Sequence, residues 1–203
     1  PWAATYFDDQ VSPAEGTSSE EFYQIYHKFG YDQAVSRASD SLSYVYRLDE
    51  KYWLMMLDSC MCEPVHETGG KLSEETTAWM KTQLEEAKKQ GVTVIPVSHH
   101  NLLDESTLYP EECTIENTKE VTALLEAYGV PVYLSGHLHL QRIKKHTSNL
   151  NTPGGYGIRE IVTSPLPMAP CQYSILNWQA DGSLSYHTKK VDIAGWAQRY
   201  GEE

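Results

Sequence analysis

Apolar and polar positions alternate with two distinct periods along this chain. Phe22, Ile25, Tyr26 and Phe29 recur at helical spacing behind Ser18 and Glu21, which have the spacing of a capping box, and Gly30 stops the run. A short amphipathic helix is predicted there. From Ser41 to Leu48 the period drops to two, and after Asp49-Glu50 the stretch Tyr52 to Leu57 is almost continuously apolar. That pattern predicts a hairpin entering a buried sheet, with Asp58 closing its second strand.

Ser73 opens the next helical pattern, with Glu74 and Glu75 in its first turn, Lys88 and Lys89 in its last, and Gly91 after it. Each charge complements the helix macrodipole. Val92 to Val97 reads as a strand, Asn101 to Glu112 as a polar loop, and Asn117 as the cap of a second helix ending at Gly129. Val130 to Leu134 is the following strand. Strand, helix, strand, helix, strand is the order of crossover units, in which helices cover the faces of a parallel or mixed sheet. Beyond Gly157 the texture is all strand: Gly157 to Thr163, Gln172 to Trp178 and Leu184 to Lys190 are expected to form an antiparallel closing sheet. A last apolar-spaced stretch, Ile193 to Tyr200, is expected to dock on it as a helix. Trp53, Trp79 and Trp178 read as core packing.

With no internal repeat or linker, residues 1–203 are expected to form one unit of α+β class. Its opening, Pro1-Trp2-Ala3-Ala4, carries no initiator methionine, which leads us to expect a piece of something longer.

Composition narrows the partners. The formal net charge of -12 repels phosphate backbones, so no extended nucleic-acid surface is expected and a small substrate fits better. No apolar stretch approaches the ~20 residues that span a bilayer, so no membrane segment is expected. The four cysteines, Cys60, Cys62, Cys113 and Cys171, show no Cys-x-x-Cys pair; Cys60 and Cys62 read as buried thiols.

The chemistry concentrates at two strand ends. Val97-Ser98-His99-His100 and Leu134-Ser135-Gly136-His137-Leu138-His139 place imidazoles at the C-terminal edge of a buried sheet, where open α/β sheets gather ligands. Strand alternation would send His137 and His139 the same way, and Gly136 would allow a tight turn beside a ligand. His99, His137 and His139 are therefore the candidate metal ligands. His100 and Asp58 are candidates for positions beside the metal, and His27, His66, His146 and His187 read as structural. Divalent metals suit phosphate-ester hydrolysis because they neutralise phosphate oxygens and acidify bound water. Such a centre also calls for carboxylates, and no acidic residue has an obvious motif spacing to these histidines.

Val-Ser-His-His-Asn-Leu-Leu and Ser-Gly-His-Leu-His-Leu-Gln resemble the last two metal motifs of calcineurin-like metallophosphoesterases, in the right order. The Tyr52 to Ser59 strand ending in Leu-Asp-Ser and the closing strands are similar to that family as well. The resemblance implies part of a four-layer α/β/β/α sandwich and a centre of two divalent transition metals, Mn, Fe or Zn. It assigns His99 and His137 to one metal and His139 to the other, with His100 beside the site. The family's earlier motifs, Asp-x-His, Gly-Asn-His and Gly-Asp with a downstream Asp, do not occur here, and Pro1 would fall soon after the Gly-Asn-His motif.

Metal-dependent hydrolysis of phosphate mono- or diesters is thus expected of the intact protein, with this chain supplying the histidines and inactive alone. Its expected partner is the missing N-terminal half of the domain or a second copy of the chain. The competing expectation is a non-catalytic binding or structural module, its histidines free of metal or holding one ion. Asp104 and Tyr109 are placed at the rim of the pocket.

Overall fold

The computed structural model describes residues 4–7, 10–13, 16–61, 67–105, 110–146, 157–179 and 181–201. In chain order it begins with a hairpin, β1 (Ala4–Phe7) and β2 (Gln10–Pro13), then α1 (Ser19–Tyr26), β3 (Ala34–Arg37), β4 (Tyr44–Arg47) and β5 (Tyr52–Met56). There follow α2 (Glu74–Gln90), β6 (Thr93–Val97), α3 (Pro110–Cys113), α4 (Thr118–Ala127), β7 (Val132–Ser135) and β8 (Arg142–Lys145). The chain closes with β9 (Arg159–Val162), β10 (Gln172–Trp178), β11 (Leu184–Lys190) and α5 (Ile193–Tyr200).

Seven strands form one mixed sheet in the order β3-β4-β5-β6-β7-β9-β8. Its centre, β5-β6-β7-β9, is parallel, and antiparallel pairs lie at both edges. Both crossovers use the helices expected from the sequence, α2 between β5 and β6 and α4 between β6 and β7. Pleat alternation divides β5 between two cores: Trp53 and Met55 pack with Met80 and Leu84 of α2 and Val121 and Leu125 of α4, while Tyr52 and Leu54 face the opposite way. On that second face Ile95, Val132 and Ile161 meet Leu176, Trp178, Leu184 and Tyr186 of the β10-β11 hairpin. Each fully buried aliphatic side chain contributes about 2 kcal/mol of transfer free energy, so the helix-covered face is the main source of stability.

Capping sets the helix ends. Ser18 and Glu21 form the reciprocal capping box, and the Ser73 hydroxyl accepts from Thr76 N–H at 2.8 Å. Gly91 ends α2 in the left-handed region at φ 68°, where a side chain would be strained.

Several expectations are corrected. The Gly157 to Thr163 segment does not join the closing hairpin: β9 lies in the large sheet, parallel to β7 and antiparallel to β8, while β10 pairs with β11. Glu160, Ile161 and Val162 are buried in succession, as suits a strand covered on both faces. Neither α1 nor α5 has a buried residue, so α5 is not docked and the aromatic face of α1 is exposed. Asn117 stands at the N-cap of α4 as expected, but its side chain makes no capping bond; its amide instead bonds Leu72 N–H at 3.2 Å and Leu72 O at 2.9 Å. The segment after His100 is not a solvated loop either, since Asn101, Leu102, Leu103 and Glu105 are buried and α3 follows. Cys60 is exposed rather than buried. Cys62, His66 and Tyr109 lie outside the described residues. Among the described residues, no helix is long and apolar enough to cross a membrane.

Candidate metal centre

The two histidine segments leave the sheet side by side, from the C-terminal ends of β6 and β7. Ser98 N–H donates to Leu134 O at 3.0 Å and Gly136 N–H to His99 O at 3.0 Å, so the pairing of the strands continues into the loops. The result brings His99 Nε2 to 2.8 Å from His137 Nδ1. Two imidazole lone pairs cannot face each other at that distance without repulsion. Either a proton or a cation must lie between them.

His99, His100 and His137 form a group whose ligand atoms lie within 4.8 Å of one another. Burial lowers the pKa of all three, and the neighbouring imidazoles lower those of His99 and His137 further. The neutral form, the one that can bind a metal, is therefore favoured.

His100 has other employment. Its Nδ1 is 2.9 Å from Ser59 Oγ and its Nε2 is 3.0 Å from Thr68 O. A carbonyl can only accept, which assigns the proton to Nε2 and leaves Nδ1 to accept from the serine hydroxyl. Both ring nitrogens are then committed inside the protein, and Gly70 lies against the ring.

His137 and His139 are in left-handed backbone conformations, at φ 59° and 55°. They sit in a turn beyond β7, closed by Leu138 N–H to Gly136 O at 2.7 Å, so strand alternation does not set their direction. Gly136 needs no special freedom: its φ is not positive and an added Cβ would meet only His99 O at 3.7 Å. His139 is exposed and outside the three-histidine group, yet near enough for its charge to act on both His99 and His137.

Asp58 lies two residues beyond β5, each carboxylate oxygen accepting one backbone N–H, from Leu42 at 3.3 Å and from Cys60 at 3.1 Å. It shares with His99 the lining of a cavity of about 950 Å³, to which Phe22, Tyr26, Tyr31 and Tyr44 also contribute. Asp104 is exposed, its carbonyl accepting from Lys144 Nζ. Of the other histidines, His27 pairs with Asp32 at 3.0 Å, His146 lies 3.7 Å from Glu126, and His187 is exposed on β11.

Sequence reasoning missed the buried carboxyl behind the site. Glu160, in β9, is 0% exposed and accepts from Leu102 N–H, Leu103 N–H and Ser135 Oγ, each at 2.6 Å. Asn101 Nδ2 completes the network by donating to Ser135 Oγ at 2.9 Å and Gly136 O at 3.2 Å. The available signal was an acidic residue inside an apolar strand, Ile158-Arg-Glu-Ile-Val162.

Comparison with known proteins adds a likeness among solved structures. No protein-family model matches the chain, and no curated protein matches it. Among solved structures it is similar to a dimetal phosphatase from Danio rerio, at 14% identity and a TM-score of 0.49. The match covers 64% of this chain and 52% of that one, so the chain spans about half the length of that structure.

Neutral imidazoles that converge in pairs suit Zn, Fe or Mn, whose bonds to histidine nitrogen of about 2.0–2.1 Å would open the 2.8 Å gap by a few tenths of an ångström. The converging group consists of imidazoles alone, and the carboxylates of Asp40, Asp58 and Glu67 line the cavity beside His99.

Proposed function

We propose that this chain supplies the imidazole part of a metal-dependent phosphate-ester hydrolysis centre. His99 and His137 hold one divalent transition metal, His139 faces a second, and His100 and Asp58 support the site from beside it. The observation that carries this reading is the facing pair of neutral ring nitrogens, His99 Nε2 and His137 Nδ1, at 2.8 Å beside an open cavity. When bound, such metals neutralise phosphate oxygens and lower the pKa of water. The left-handed turn at His137 and His139 presents two imidazoles within three residues, and the Ser59–His100 bond fixes the neighbouring ring.

The substrate in this reading is a small phosphate mono- or diester entering through the cavity beside His99. Charge balance requires more carboxylate than the histidine group contains, so the remainder comes from an upstream part of the same domain, or from a second copy of the chain. An added sheet over the open side of the β10-β11 hairpin would complete a four-layer α/β/β/α sandwich of the calcineurin-like kind.

Manganese-dependent hydrolysis of bis(p-nitrophenyl) phosphate by this chain, and by the gene product extended upstream, tests the proposal with His137→Ala as control. Activity confined to the extended form and abolished by the substitution is expected. Inactivity of both forms with Mn, Fe and Zn would reject it in favour of a binding or structural module.

A further inference from the structure

The pairing of the two strands that carry the histidines is sparse. β5 and β6 share five Cα partner pairs, whereas the register of β6 and β7 consists of Val97 with Leu134 alone. Beyond it two backbone hydrogen bonds, Ser98 N–H to Leu134 O and Gly136 N–H to His99 O, join the histidine segments, so few backbone bonds resist a shift of one segment against the other. The 2.8 Å separation of His99 and His137 leaves only about 0.4 Å before the pair passes the ordinary hydrogen-bond range.

Glu160 spans that gap. Its Oε1 accepts at once from Leu102 N–H, on the segment that follows His99, and from Ser135 Oγ, on the segment that precedes His137. Oε2 takes Leu103 N–H, adding a second hold on the first segment. The Asn101 amide repeats the crossing by bonding Ser135 Oγ and Gly136 O. Glu160 rises from β9, whose partner in register is β7 at Tyr133, so it is anchored independently of β6. Because it is wholly buried, water cannot replace the carboxyl if it is removed.

We propose that Glu160 is the positioning residue of the histidine pair: its carboxyl clamps the His99 segment to the His137 segment and so sets the spacing of the two ring nitrogens. The consequence for metal affinity rests on the ligand reading given above; the consequence for the spacing does not. Glu160 touches neither ring and is not a ligand.

The test uses Glu160→Leu, which removes the clamp at similar volume, and Glu160→Gln, whose remaining oxygen can still accept from both segments. In the metal-free chain the His99–His137 bond is read by NMR, as a 15N–15N coupling between Nε2 and Nδ1. Wild type and Glu160→Gln should show the coupling, and Glu160→Leu should lose it while keeping the amide spectrum of a folded protein. Cobalt(II) titration, followed by its visible absorption, should then show binding weakened about 10- to 100-fold in Glu160→Leu and only a few-fold in Glu160→Gln.

An intact coupling in folded Glu160→Leu, or none in wild type, overturns the inference. Should Glu160→Leu fail to fold, Ser135→Ala cuts the Glu160 arm to the second segment together with the Asn101 bond to the same hydroxyl, and retention of the full coupling there overturns it equally. Wild type that shows the coupling but binds no cobalt would reject the metal reading while leaving the clamp in place.

Discussion

Glu160 also makes a quantitative prediction about stability. Burial pushes its carboxyl up from 4.5 to about 7, against the three hydrogen bonds that lower it, with Glu105 adding to the rise. The folded chain therefore keeps this proton through a pH range in which the unfolded chain has lost it. With more protons bound to the folded state, stability falls as pH rises from about 4.5 to about 7. The interval between the two values corresponds to about 3 kcal/mol, at about 1.4 kcal/mol per pH unit, and the loss is complete above pH 7. In Glu160→Gln the amide NH₂ faces Leu103 N–H, which costs about 1–3 kcal/mol at every pH but cannot titrate. Urea unfolding of both proteins between pH 4.5 and 8 separates the constant offset from the slope. Other carboxyls, Glu105 among them, cancel to first order in the difference. Wild type should lose about 3 kcal/mol relative to the variant across the interval. A flat difference, or one in which wild type gains with pH, would refute the reasoning by showing that the hydrogen bonds outweigh burial.

Two further substitutions probe the scaffold of the site. In Gly70→Ala the new Cβ would lie 2.3 Å from His100 Cγ, so the ring or the backbone must move; a loss of about 1–3 kcal/mol is expected, with a shifted His100 imidazole resonance in NMR. Ser73→Ala removes the α2 cap on Thr76 N–H and the hydroxyl that donates to Asp40; the urea midpoint should fall by the equivalent of about 1 kcal/mol, and an unchanged midpoint would mean the cap is not formed.

Much of the framework was legible because its signals are local. Ser18 with Glu21, Ser73 with Gly91, and the bounds of β10 and β11 follow from caps, turns and periodicity, which need no knowledge of distant contacts. The strand ends bearing His99 and His137 were legible for the same reason. Their meeting followed from the order of crossover units, which makes successive strands neighbours in a parallel sheet.

What depends on distant partners was decided only in three dimensions. The placement of β9 beside β7 rather than β10 reflects a choice between sheets that an apolar run by itself cannot express. The amide of Asn117 turned from its own helix to Leu72, because that backbone needed a partner 45 residues away. Left-handed turns at His137 and His139 replaced the alternation that a strand would have imposed. Glu160 became visible as part of the site only when the fold buried it and brought Leu102, Leu103 and Ser135 to its oxygens. The amino-acid sequence by itself determined which residues can carry the chemistry, since side-chain type and local period are written along the chain. Tertiary structure decided which of them meet and what holds them there, because hydrogen bonds between residues 25 to 58 positions apart depend on geometry that no local pattern contains.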